Sequence, residues 1–164
     1  MSHQRLTRGA FLERATCAVL ALSAVPRAAM AQTDWSKLSD DAWKKRLSPE
    51  RYAVLREADT ELAWSSPLEY EHRRGTYACA GCDLGLFSSA TKFDSGTGWP
   101  SFYTTLPHAV KTREDDSLGV PRTEVQCSRC EGHLGHVFDD GPPPTGLRYC
   151  INGLAMTFHP KSLA

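Results

Sequence analysis

Two Cys-x-x-Cys pairs, Cys79 with Cys82 and Cys127 with Cys130, constrain this chain more than any other feature of it. A pair at that spacing puts both thiols on one tight turn, so that both reach a common point. Gly81 lies inside the first turn and Gly132 follows the second. Two such turns brought together make a tetrahedral sulfur site with no position left for water. The pattern predicts one structural zinc ion per chain, held by Cys79, Cys82, Cys127 and Cys130. Such an ion staples the fold and performs no chemistry. Two disulfides are the alternative in an exported protein. A thioredoxin-like redox pair fits less well, because neither pair opens a helix within a βαβ pattern.

The 164 residues suit one domain, and 19 Lys and Arg balance 19 Asp and Glu. No long run of one sign occurs, which argues against nucleic acid or an anionic membrane surface as a partner. Arg5, Arg8 and Arg14 precede the apolar stretch 15–25, and Ala29-Met30-Ala31 offers a small-x-small cleavage site. Residues 1–31 therefore read as an export signal, and residues 32–164 as the working domain. The apolar stretch is too short for a stable membrane anchor. Thr7, Arg8, Phe11 and Leu12 match part of a twin-arginine signal. Gly9 replaces the second arginine, so the general secretory and twin-arginine routes both stay open. A periplasmic location in a Gram-negative bacterium is expected.

Residues 36–61 read as two short helices. Ser39 or Asp40 caps the first; Ser48 and Pro49 cap and open the second. Beyond about residue 68, short apolar runs alternate with Gly, Pro, Asp and Ser, the texture of a small β-rich domain with tight turns. The stretch 139–146 holds Pro142, Pro143 and Pro144 and reads as a rigid loop.

Six cysteines are present. The zinc site claims four and the export signal takes Cys17, which leaves Cys150 unpaired. In a strand over 147–152, Arg148, Cys150 and Asn152 share one face, while Tyr149 and Ile151 face the core. A guanidinium beside a thiol favours the thiolate, the form that attacks. A small cysteine that only fills space is the alternative reading. His133 and His136 follow the second knuckle and suit proton transfer near neutral pH. Zinc ligation by one of them, or simple burial, is the alternative. Trp99, between Gly98 and Pro100, is either core or an apolar wall at the surface.

From about residue 36 to its end the chain resembles the B-type methionine sulfoxide reductases. The resemblance rests on "GTYACAGC", "LFSSATKFDSGTGWPSF", "RTEVQCSRCEGHLGHVFDDGPPPTGLRYCIN" and the upstream "READTE". It implies a mainly β fold of two antiparallel sheets with short N-terminal helices, braced by zinc at the four cysteines above. It implies reduction of the R epimer of methionine sulfoxide in oxidised proteins, with Cys150 as nucleophile. His136, His133, Asn152 and Arg148 fall on polar active-site positions, and Trp99 and Phe138 on substrate-binding ones. The implied partners are oxidised proteins and a thioredoxin-like reductant, and the chain is expected to act as a monomer. Many members carry a resolving cysteine where this chain has Thr97, so an external thiol should reduce the oxidised Cys150 directly. A non-catalytic zinc-ribbon binding module is the rival function, and a cysteine acyl hydrolase is a second.

Overall fold

Two serines set the helical start of the fold. In the computed structural model, which describes residues 33–117 and 119–162, the first helix, α1, runs Asp40–Arg46 and the second, α2, runs Pro49–Glu57. Ser39 Oγ accepts from Ala42 N and Ser48 Oγ from Arg51 N, which satisfies backbone donors that the first turn leaves open. Of the two cap candidates in the first helix, Ser39 is the one used. Trp43, Tyr52, Val54 and Leu55 turn inward. The export-signal residues lie outside the described residues. No helix among the described residues is long and apolar enough to cross a membrane.

The remainder is mainly β. Strands β1 (Gly75–Cys79), β2 (Gly85–Ser88), β3 (Lys92–Phe93), β4 (Ser101–Phe102) and β5 (Val110–Asp115) precede the second knuckle or lead to it. Strands β6 (Arg122–Cys127), β7 (His133–Phe138), β8 (Arg148–Ile151) and β9 (Met156–Pro160) complete the set. One sheet has the order β2-β1-β9, the other β3-β4-β8-β7-β6-β5. Every pairing is antiparallel. The core is aromatic and aliphatic: Tyr77, Phe87 and Phe102 are fully buried. Phe87 stacks on Phe102 at 4.4 Å, and Tyr77 meets Phe102 edge-on. The proline loop at 139–146 has no regular structure, as expected, and closes on itself through Gly141 N to Gly146 O.

The two knuckles are built alike. In each, the first cysteine's carbonyl accepts from a residue four positions on, Asp83 N or Glu131 N. Asp83 and Glu131 both take the left-handed conformation, φ 59°, that such a turn demands. Guanidinium groups brace them: Arg46 Nε donates to Gly81 O, Arg129 Nη1 to Cys82 O and Arg56 Nη1 to Cys130 O. Arg46 and Arg56 belong to the helices, so the N-terminal elements are fastened to the sulfur cluster. The four buried Sγ atoms lie within 4.8 Å of one another. Cys79 and Cys130 are 3.6 Å apart, and Cys82 and Cys127 3.5 Å. A disulfide needs about 2.05 Å, and all five described cysteines are free. Four thiolates around a tetrahedral ion at about 2.3 Å would stand about 3.8 Å apart, so the cluster fits a metal ion.

Candidate active site

The sheet register delivers the site. Cys150 sits in β8, between β4 and β7, paired with Ser101 on one side and His136 on the other. The next pair but one joins Phe138 to Arg148. Gly135, opposite Ile151, allows this approach: a Cβ there would lie 2.1 Å from the Cys150 carbonyl oxygen. The β6–β7 register slips by one residue at Leu134. In an unbroken strand His133 and His136, three apart, would face opposite ways. The extra residue undoes that, and their ring centroids are 5.5 Å apart.

A cleft of about 150 Å³ opens over Cys150, lined also by His136, Trp99, Phe138, Arg122 and Thr60. Burial pushes the Cys150 thiol above its ordinary pKa. A hydrogen bond from Thr97 and the charge of Arg148 oppose that shift. Thr97 belongs to a chain of hydroxyls: its Oγ1 is 2.8 Å from Ser95 Oγ, which is 2.7 Å from Ser101 Oγ. Arg148 makes a bidentate pair with Asp140 and lies 4.4 Å over the Phe138 ring. It is therefore fixed beside the thiol, on the face the alternation predicted.

His136 Nε2 lies 2.7 Å from Asp115 Oδ2, which also receives Arg122 Nη2 at 2.5 Å. Hydrogen bonds from Ser117 and His136 hold Asp115 well below the usual carboxylate range. The ionised carboxylate only accepts, so His136 donates to it from Nε2. His133 is buried and does not line the cleft. Burial lowers its pKa, so the neutral ring donates from Nδ1 to Glu124 Oε1 at 2.6 Å. Glu124 is pushed up by burial, but its bonds to His133 and Arg113 hold it below the ordinary value.

Asn152 is buried at the edge of the cleft, and its side chain is bonded to the protein itself. Its Oδ1 accepts from Glu61 N at 3.1 Å and its Nδ2 donates to Leu134 O. Trp99 Nε1 donates to Glu61 O at 3.1 Å, so of the two expectations Trp99 takes the second, a half-buried wall of the cleft held in place by that bond. The Glu61 carboxylate accepts from Gly153 N and Leu154 N. Thr60, Glu61, Asp115, Arg122 and Glu124 were not singled out by sequence reading. "READTE" and "RTEV" held four of them, as motif letters without an assigned task.

The fold and this cleft define a β-rich, sulfur-clustered domain in which one thiol among the described residues, Cys150, stands outside the cluster and opens on a cleft. A family model for the SelR domain matches residues 47–160, and the chain belongs to that family. It is 57% identical over 124 residues to a peptide methionine sulfoxide reductase MsrB of Thiobacillus denitrificans, covering 75% of this chain and 94% of the relative. Proteins of the same description from Bradyrhizobium diazoefficiens and Leifsonia xyli are 56% and 54% identical. Each again spans 75% of this chain, with 89% and 90% of the relative covered.

Proposed function

We infer that the chain reduces methionine sulfoxide in oxidised proteins, acting on the R epimer, with Cys150 as the nucleophile. The observation that carries this is the single cleft shared by Cys150, His136 and Trp99. It offers a thiol, a proton carrier and an apolar wall to one small group. A non-catalytic binding module is not favoured, since it has no use for that arrangement.

The Cys150 thiolate attacks the sulfoxide sulfur. His136 delivers a proton from Nδ1 to the sulfoxide oxygen, which makes the sulfur electrophilic; such assistance contributes about 10²–10⁴ in rate. The attack forms a bond between the Cys150 and substrate sulfurs. The substrate S–O bond then breaks as the protonated oxygen passes to the Cys150 sulfur, the bond between the two sulfurs breaks, and methionine leaves with Cys150 as sulfenic acid. The substrate sulfur gains the two electrons that the Cys150 sulfur loses. Trp99 and Phe138 hold the methyl group while the polar side of the cleft holds the oxygen. The other epimer exchanges those two groups and loses both fits. Asn152 and His133 support the cleft from within, and Arg148 favours the thiolate. An external thiol then attacks the sulfenic sulfur and expels water, and a second thiol releases Cys150. We assign that step to a thioredoxin-like reductant.

The metal at Cys79, Cys82, Cys127 and Cys130 is proposed to be zinc, one per chain, which binds thiolates in a closed site and supplies rigidity alone. We further propose export through cleavage after Ala31, a periplasmic location in a Gram-negative bacterium, and action as a monomer. N-terminal sequencing of the secreted form would check the cleavage. For the activity, residues 32–164 are incubated with N-acetyl-methionine-R-sulfoxide or its S epimer and dithiothreitol. Loss of the R epimer alone, abolished by Cys150→Ser, is expected. Survival of the R epimer would sink the reading.

A further inference from the structure

Three of the four large hydrophobic side chains exposed among the described residues stand on one short stretch: Leu62, Trp64 and Tyr70. Scattered apolar side chains at a surface mean little, but a cluster marks contact with something. This stretch is also tied to the cleft. Thr60 lines the cleft, Glu61 O holds the Trp99 indole, and Trp64 N donates to Gly98 O at 2.7 Å. Trp64 itself takes the left-handed conformation, φ 66°, which is costly for a bulky residue and found where function maintains it. The strain keeps the indole, half exposed, over Gly98, where a Cβ would come within 2.9 Å of the ring.

Trp64 and Tyr70 are two walls of a second cavity of about 270 Å³, distinct from the cleft. Phe93, Lys92, Asp94 and Glu69 are among the others. Glu69 is 8% exposed, yet its carboxylate has no hydrogen bond or ion pair among the described residues. Burial pushes its pKa up, opposed by the charge of Lys92, so it is a carboxylate partly shielded from water and without a donor among the described residues. The Lys92 ammonium is engaged at 2.6 Å with the Glu69 backbone oxygen. Glu71, also on the cavity, is paired with Arg73. A cavity with aromatic walls and an unsatisfied carboxylate suits a cationic side chain, whose stem packs on the rings while its charge meets the acid. Glu69 is also near enough to Cys150 for its charge to raise the thiol's pKa.

We propose that this cavity is a subsite for a lysine or arginine of the polypeptide substrate, a few residues from the oxidised methionine. The inference rests on the reductase reading above. An extended peptide advances about 3.3 Å per residue, so the basic residue is sought within four positions of the sulfoxide on either side.

The test uses peptides with one methionine-R-sulfoxide and a lysine or glutamine at each of those positions, against residues 32–164 as wild type, Glu69→Gln and Tyr70→Ala. In the wild type, lysine at one position should raise kcat/KM about fivefold over glutamine, the size of a partly desolvated cation contact. Both variants should lose that preference; Tyr70→Ala should reduce N-acetyl-methionine-R-sulfoxide at the wild-type rate, and Glu69→Gln, which removes a charge that raises the Cys150 pKa, at no less than that rate. Equal rates for lysine and glutamine peptides at every position, with the small sulfoxide still reduced, would overturn the subsite alone. So would a lysine preference that survives Glu69→Gln. Failure of the wild type to reduce the small sulfoxide would remove the reductase reading and the subsite together.

Discussion

Thr97 Oγ1 stands 3.8 Å from Cys150 Sγ, so a hydroxyl occupies the place beside the nucleophile. The other four described cysteines are buried together in the sulfur cluster. Oxidised wild type should therefore carry a sulfenic acid at Cys150 that dimedone traps, with no intramolecular disulfide in its mass spectrum. Thr97→Cys places a second sulfur next to the first, and after one turnover it should form a disulfide with Cys150, two hydrogen atoms lighter than the dithiol and reducible by thioredoxin. An intramolecular disulfide at Cys150 in the wild type would contradict this.

The buried Cys150 thiol has a raised pKa, which fixes the sign of a pH effect. Its thiolate fraction is small at neutral pH and grows as pH rises. Alkylation by iodoacetamide should thus climb about tenfold per unit between pH 7 and 8. Removing the positive charge in Arg148→Met should displace the curve to higher pH, because that charge lowers the pKa. The folded state binds the thiol proton more tightly than the unfolded chain. Its share of stability is complete below the unfolded pKa and is lost as pH rises through the folded one. Wild type should therefore lose stability relative to Cys150→Ser only at alkaline pH. A curve for Arg148→Met that overlays the wild type would rule out the charge effect.

Glu61 holds both walls of the cleft at once: its carbonyl accepts from Trp99, its N–H donates to Asn152, and its carboxylate caps Gly153 and Leu154. Glu61→Ala leaves one buried and one part-buried N–H group without this acceptor, at about 1–3 kcal/mol for the buried one. Glu61→Gln keeps one acceptor and turns an N–H₂ toward the other donor. Displacements of about 1 Å can cost about 10² in rate. Both variants should therefore fold with lowered melting temperature and show a fall in kcat at least tenfold for the alanine. Wild-type kcat in Glu61→Ala would show that the clamp is structural alone.

The elements that sequence pattern revealed are those set by local rules. Ser39, Ser48 and Pro49 marked the helices because capping depends on neighbours alone. The cysteine knuckles were legible because a metal site needs fixed spacing. Alternation put Arg148 and Cys150 on one face correctly. His133 was harder: a slip of one residue at Leu134 decides what it faces, and only Gly135 hinted at it. Asp115 and Glu124 were not singled out because their tasks come from cross-strand register and from partners far along the chain. Glu61 meets Asn152 across 91 positions, a contact that no local pattern carries.

Hydrogen bonds among the four sulfurs push Cys127 well below the ordinary thiol range and Cys79 and Cys130 above it, so a metal held by all four must displace protons from the cluster. Arg46, Arg56 and Arg129 donate to carbonyls of the two knuckles, so release of the ion should loosen the helices as well as the turns. Mercurial titration of the purified chain should release one zinc ion. Structural zinc sites carry folding free energy on the order of 10 kcal/mol, and the stripped protein should lose its cooperative melting transition. Cys82→Ser should bind little metal and lose the fold, whereas Cys150→Ser should keep both metal and melting temperature while losing all activity. A metal-free protein that still melted cooperatively at the original temperature would show that the sulfurs do not staple this fold.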